Sequence, residues 1–161
     1  VALKEAPTLD GVILVENRDS PSVGSERGTF VISDRNLLGF GDRLSLEYGL
    51  TEGIRSYDLS YEIPINARDG VLSLRYNRSD SEIVEAPFSV LDITSNSKTF
   101  AVALRQPLNR TPTQEFALEL GLDLRQSQTF LLKDIPFSFS LGPENGESKV
   151  TVLRFSQDWI N

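Results

Sequence analysis

Between residues 43 and 65, apolar side chains occupy every second position of two consecutive runs separated by only a few residues. Leu44, Leu46, Tyr48 and Leu50 alternate with Arg43, Ser45, Glu47 and Gly49, and Tyr57, Leu59, Tyr61, Ile63 and Ile65 alternate with Ser56, Asp58, Ser60 and Glu62. Successive side chains of a strand point to opposite faces, so this spacing describes a hairpin with one greasy face and one wet one; a helix, repeating every 3.6 residues, would scatter the same residues around its circumference.

The same period runs through most of the chain. Leu72, Leu74 and Tyr76 alternate with Ser73, Arg75 and Asn77, and Phe100, Val102 and Leu104 with Ala101, Ala103 and Arg105. The longest case sets Phe116, Leu118, Leu120, Leu122 and Leu124 against Ala117, Glu119, Gly121, Asp123 and Arg125. Weaker strands are predicted at 11–18, 27–37 and 147–159, which makes about eight in all and leaves no defensible helix. The connections after the second, fourth and sixth strands are short and turn-like: Leu38 to Asp42, Asn66 to Gly70, and the stretch around Asn109 to Pro112. Those after the first, fifth and seventh are longer, spanning Asp19 to Glu26, Ser81 to Ser97 and Ser127 to Gly146, with Thr51 to Ile54 as the exception. Tight turns on one rim and long loops on the other are a mark of antiparallel barrels in outer membranes.

Composition removes much of the competing chemistry. The 161 residues are 39% hydrophobic, enough for one folded unit rather than a disordered chain. Without Cys or His, disulfides, thiolate metal sites and the commonest general base and metal ligand are excluded. A net charge of −7 and a pI near 4.6, with Lys and Arg scattered among acids, argue against nucleic acid as a partner. No apolar run is long enough for a transmembrane helix and no signal peptide is legible; the lack of Met at position 1 suggests a processed chain or an excised segment.

Two architectures satisfy the alternation. A soluble β-sandwich binding module would bury its apolar stripes between two sheets, on strands usually about 5–6 residues long. A membrane barrel turns them outward, on strands of about 10 residues, and the better strands here have that length. In the barrel reading the lumen-facing set is Glu47, Asp58, Glu62, Arg75, Arg105, Glu119, Asp123 and Arg125, both signs mixed as suits a hydrated interior. The lipid-facing set is Leu44, Leu46, Tyr48, Tyr57, Leu59, Tyr61, Leu118, Leu120 and Leu122, nearly free of Lys and Arg, which cost ~2–4 kcal/mol each at a bilayer midplane. Tyr on this face suits a lipid–water boundary, although cross-strand pairing explains it as well.

Several motifs occur in order. Val15-Glu16-Asn17-Arg18-Asp19-Ser20 is followed by Gly24 and Arg27-Gly28, then by Asn36-Leu37-Leu38-Gly39-Phe40-Gly41-Asp42-Arg43-Leu44-Ser45-Leu46-Glu47-Tyr48, then by Arg55-Ser56-Tyr57-Asp58-Leu59-Ser60-Tyr61-Glu62-Ile63-Pro64-Ile65. This succession resembles the opening of the barrel in two-partner secretion transporters, the hemolysin activation and secretion protein family; beyond about residue 70 the likeness is one of strand rhythm. The resemblance implies an all-β, antiparallel up-and-down transmembrane β-barrel, of which this chain supplies about eight strands of roughly sixteen. It implies residues 1–10 as a linker or the end of a periplasmic POTRA domain and 11–161 as barrel, with Leu38 to Asp42 as a periplasmic turn. The Arg-Gly-Tyr or Arg-Gly-Phe motif of the later barrel and a terminal aromatic are absent, so an N-terminal half-barrel is expected. The implied function is export of a large hemolysin- or haemagglutinin-like protein across the bacterial outer membrane, with that protein and membrane lipid as partners and no enzymatic step, cofactor, metal or nucleic acid. A barrel of the outer-membrane protein assembly factors remains a related alternative.

Other candidates are weaker. Glu47 with Glu62, or Glu119 with Asp123, could form a glycosidase carboxylate pair, but any acidic β-protein offers such pairs. Asp92 to Asn96 and Glu144 to Glu147 are acidic enough for Ca²⁺ yet lack a regular ligand spacing. Asn77-Arg78-Ser79 and Asn109-Arg110-Thr111 match a glycosylation pattern too short to be informative. Pro64 and Pro107 are expected near strand ends, and Trp159 at a membrane interface or as a cap on the sheet rather than stacked on a sugar.

Overall fold

The computed structural model describes residues 7–139 and 145–161, so residues 1–6 of the expected linker lie outside the described residues. Its strands are β1 (Leu9–Asn17), β2 (Glu26–Asp34), β3 (Arg43–Leu50), β4 (Ile54–Pro64), β5 (Val71–Glu82), β6 (Thr94–Arg110), β7 (Glu115–Leu131), a two-residue β8 (Ile135–Pro136) and β9 (Glu147–Ile160). Two short 3-10 turns, Pro21–Val23 and Phe88–Leu91, are the helical elements among the described residues, none long or apolar enough to cross a membrane.

Every neighbouring pair is antiparallel, and strand order follows chain order from β1 to β7. β8 pairs only with the last residues of β7, at Phe130 and Leu131, and β9 takes the rest of the same edge, from Glu115 to Gln128. The result is an up-and-down sheet of eight long strands plus a stub. Among the described residues no pairing joins β1 to β9, so the sheet is open, as the wall of a larger barrel would be.

Burial is inverted relative to a water-soluble protein. Among the described residues Ala117 is the one buried hydrophobic side chain, whereas Leu120, Leu122, Leu124, Phe100 and Leu153 are all exposed. In β7 the polar or small residues Ala117, Gly121 and Asp123 are sheltered, while Leu120 and Leu122 between them are open and Leu118 is half-buried. A sandwich would have covered the leucines with a second sheet; all the strands here belong to one sheet, which excludes that architecture for the described residues.

The strands also outrun their apolar stripes. β6 and β7 are each 17 residues long, against the expected ten, because Ser95 to Thr99 and Gln126 to Thr129 continue the ladder after the alternation of apolar with polar has stopped. Backbone pairing needs only a partner strand, not a hydrophobic side chain. Pro107 lies near the end of β6, three residues before Arg110, at a register shift between Pro107 and Asn109, where the irregular ladder tolerates a missing N–H. β1 begins at Leu9, paired with Asp34, two residues earlier than the expected boundary at residue 11.

Candidate functional site

The register gathers the polar residues into rows that cross the sheet. One row runs Glu47, Asp58, Asn77, Thr99, Arg125; the next runs Ser45, Ser60, Arg75, Ala101, Asp123. A third holds Arg43, Glu62, Ser73, Ala103, Gly121 and Arg154, and Arg105 pairs with Glu119 beyond it. Paired residues of an antiparallel ladder share a face, so all eight residues of the expected lumen set lie on one face. Glu47 is paired with Asp58 rather than with Glu62, and Glu119 and Asp123 sit two rows apart.

Charges on this face neutralise one another locally. Asp58 accepts from the Arg75 Nε at 2.9 Å and from Asn77 Nδ2 at 3.0 Å. Asp123 accepts from Arg125 at 2.9 Å and also pairs with Arg154 from the next strand. Near the short-turn rim Glu115 bridges Arg105 and Arg110, and Arg110 reaches Asp69 at 2.7 Å in the β4–β5 turn. Half-exposed pairs of this kind contribute ~0–1 kcal/mol each, so their effect is to orient side chains more than to hold the sheet together. Among the described residues Glu47, Glu62 and Glu119 have no ion pair within 4 Å, and neither does Arg43, which stands opposite Glu62 in the register.

The nine residues of the expected lipid set fall on the opposite face. Leu44 pairs with Tyr61, Leu46 with Leu59 and Tyr48 with Tyr57, whose rings stand 4.9 Å apart. Leu120 and Leu122 continue the face through Leu104 and Val102 on one side and Phe155 and Leu153 on the other. At the short-turn end the band finishes in Phe116 and Trp159, an edge-to-face pair with centroids 6.5 Å apart. At the other end it gives way to the row Arg78, Lys98, Gln126, Lys149. From Phe116 to Gln126 the strand advances ~33 Å, which at a tilt of ~40° spans ~25 Å, the height of the apolar band on outer-membrane barrels.

One residue inside the sequence motifs acquires a role that spacing alone did not predict. Asp42 is completely buried at the end of the β2–β3 turn. Its carboxylate accepts the Leu38 N–H at 3.0 Å and the Tyr61 hydroxyl at 2.8 Å. Asn36 Oδ1 accepts the Gly41 N–H, and Gly39 and Gly41 take φ of +90° and +80°, the left-handed region where a side chain would be strained. Burial pushes the Asp42 carboxyl up, but the Tyr61 hydroxyl and the backbone N–H groups of Leu38, Asp42 and Phe40 outweigh it and hold the group below its ordinary value of 3.8. The Gly-x-Gly-Asp run is thus a turn folded around a carboxylate, which pins the start of β3 to β4.

On the long-loop rim the connections are stitched together by backbone. Gly53 N–H donates to Val23 at 2.9 Å, Glu82 N–H to Gly53 at 2.7 Å, and Val84 N–H to Ser22 at 2.9 Å. Leu132 and Lys133 donate to Leu91 and Asp92, joining the β5–β6 loop to the connection after β7. Among the described residues no group of three or more acidic side chains converges as a metal site.

Comparison with known proteins bears on this arrangement. The sequence profile of the haemolysin secretion/activation proteins ShlB/FhaC/HecB matches residues 1–137. CdiB from Escherichia coli superposes with a TM-score of 0.82 at 21% identity, over 98% of this chain and 29% of that one. CdiB from Acinetobacter baumannii gives 0.55 at 25% identity, over 85% of this chain and 26% of that one. BamA from Haemophilus ducreyi, in a structure lacking POTRA domains 1–3, gives 0.53 at 16% identity, over 97% and 30%. The chain therefore spans less than a third of the solved proteins it resembles. No curated protein matches it.

Proposed function

Because this chain belongs to the haemolysin secretion/activation family and is a segment of a β-barrel of the bacterial outer membrane, we propose that it forms one wall of a protein-exporting pore. The polar face lines the lumen, the apolar face meets lipid, and the full transporter passes a large hemolysin- or haemagglutinin-like partner to the cell surface. The observation that carries the reading is the inverted burial: leucines open on one face, and on the other sheltered carboxylates, Asp58 and Asp123, paired with half-exposed arginines. A hydrated lumen lined by charges already satisfied among themselves offers an extended polypeptide few strong places to stick, while the residual carboxylates keep it wet. The proposed activity is passage without covalent chemistry, and it engages no nucleic acid and no cofactor.

The test is planar-bilayer conductance of the complete transporter with Glu47, Glu62, Glu119 and Asp123 changed together to their amides. The neutralised pore is expected to lose preference for cations, since Arg125 and Arg154 are left uncompensated. Unchanged conductance and ion preference would refute the lumen assignment. Export is separated from the assembly-factor alternative in cells: loss of the transporter should strand its partner in the periplasm while other outer-membrane barrels assemble normally.

A further inference from the structure

All Lys and Arg side chains on the apolar face of the described strands lie toward one rim. They are Arg55, Arg78, Lys98 and Lys149; the short-turn end of that face carries none. Three of them share the row that borders the apolar band, Arg78, Lys98, Gln126, Lys149, directly beside the row Leu59, Tyr76, Phe100, Leu124. The acids of this rim stand one row farther out, where Arg55, Asp80, Asn96, Gln128 and Glu147 are aligned. From β5 to β9, moving outward from the band, a molecule meets hydrocarbon, then cations, then carboxylates, with Arg55 of the outer row lying to one side on β4.

The cations are not equally occupied. Arg78 holds Asp80 through two contacts at 3.1 and 3.3 Å, and Lys149 holds Glu147 at 2.8 Å. Lys98 is exposed and has no ion pair among the described residues. Between Lys98 and Lys149, over β7, runs a groove of about 350 Å³ lined also by Tyr76, Phe100, Leu124 and Gln126. Its floor is apolar and aromatic, and its outer lip carries two ammonium groups with an amide between them.

We propose that this groove binds a phosphate-bearing membrane lipid, with an acyl chain along Phe100 and Leu124 and the phosphate between Lys98 and Lys149. The assignment rests on the lipid-facing reading of this face. The charge order selects the ligand: a phosphate attached to hydrocarbon reaches the lysine row before the acidic row, while a free cation would be drawn to the acids and repelled by the lysines. Confinement of the cations to one rim restricts the site to one leaflet, the one on the long-loop side. Each Lys near an anionic membrane surface adds about 1 kcal/mol, so two correspond to roughly thirty-fold in affinity.

The experiment is native mass spectrometry of the complete transporter in neutral detergent, titrated with bisphosphorylated lipid A, with its dephosphorylated counterpart, and with inorganic phosphate. Wild type is expected to retain the phosphorylated lipid roughly thirty-fold more strongly than the dephosphorylated one. Lys98→Gln with Lys149→Gln should erase that difference, Lys98→Arg with Lys149→Arg should keep it, and Arg18→Gln with Arg68→Gln, distant from the groove, should leave it intact. Equal retention of both lipids, or an unaffected glutamine variant, overturns the site. Displacement of the lipid by equimolar inorganic phosphate overturns its identity as a lipid site. Failure of the apolar-face reading would appear separately, as an inability of wild-type protein to insert into bilayers.

Discussion

Leu120 lies near the centre of the apolar band, flanked in register by Leu104 and Phe155, and Leu124 lies one row inside the lysine row. The two are four residues apart on β7, ~13 Å along the strand and ~10 Å along the bilayer normal at a tilt of ~40°. A Lys at Leu120 therefore sits where its stem cannot bring the ammonium to water without deforming the bilayer, whereas a Lys at Leu124 snorkels to the row already occupied by Lys98 and Lys149. The expected costs are about 2–4 kcal/mol for Leu120→Lys and about 0–1 kcal/mol for Leu124→Lys. Glu119→Lys, one residue away but on the polar face, should cost within about 1 kcal/mol because its side chain stays in a hydrated environment. The assay is reversible urea unfolding of the complete transporter in phosphatidylcholine vesicles, followed by Trp fluorescence and by heat-modifiable migration. Equal costs for Leu120→Lys and Leu124→Lys would refute the placement of the band, and a Glu119→Lys cost equal to that of Leu120→Lys would refute the division into two faces.

Three further outcomes follow from the turns and the rim. Asp42 has its folded pKa below the ordinary 3.8, so its contribution is complete above that value and is lost as pH falls through the lower folded one. Unfolding midpoints measured from about pH 5 down to about pH 2 should drop in wild type more than in Asp42→Asn, and Tyr61→Phe should reduce that difference. Gly53→Ala would place a Cβ 2.3 Å from the Glu82 carbonyl oxygen and 3.2 Å from Val23; the clash is with backbone, so a cost of about 1–3 kcal/mol is expected, read as faster proteolysis within residues 18–25. Asp58→Asn removes the acceptor shared by Arg75 and Asn77; it should change stability by under about 1 kcal/mol but shift the pore toward anions in reversal-potential measurements.

Much of the architecture was legible in the residue order. Leu44 through Leu50 and Tyr57 through Ile65 fixed a hairpin with two unlike faces, because a strand cannot present an alternating sequence in any other way. The same parity assigned all eight polar and all nine apolar candidates to opposite faces, as the register places them. Parity was silent on which face turns outward. A stripe of leucines is equally content against a second sheet or against lipid; the strands assemble into one open sheet with those leucines uncovered, which removes the second sheet for the described residues.

Tertiary structure also decided what lies beyond the stripes. Ser95 to Thr99 and Gln126 to Thr129 are polar on both faces and carry no periodic signal, yet they extend β6 and β7 because each backbone finds a hydrogen-bonding neighbour. Asp42 reads as an ordinary turn acid until Tyr61, nineteen residues away, closes over it. The row of Arg78, Lys98 and Lys149 likewise comes from three strands and exists only in register. The sequence alone determined which side chains share a face within each strand, a consequence of local backbone geometry. The tertiary structure decided which residues stand beside one another across strands, because register is set by long-range pairing and turn geometry rather than by any single strand.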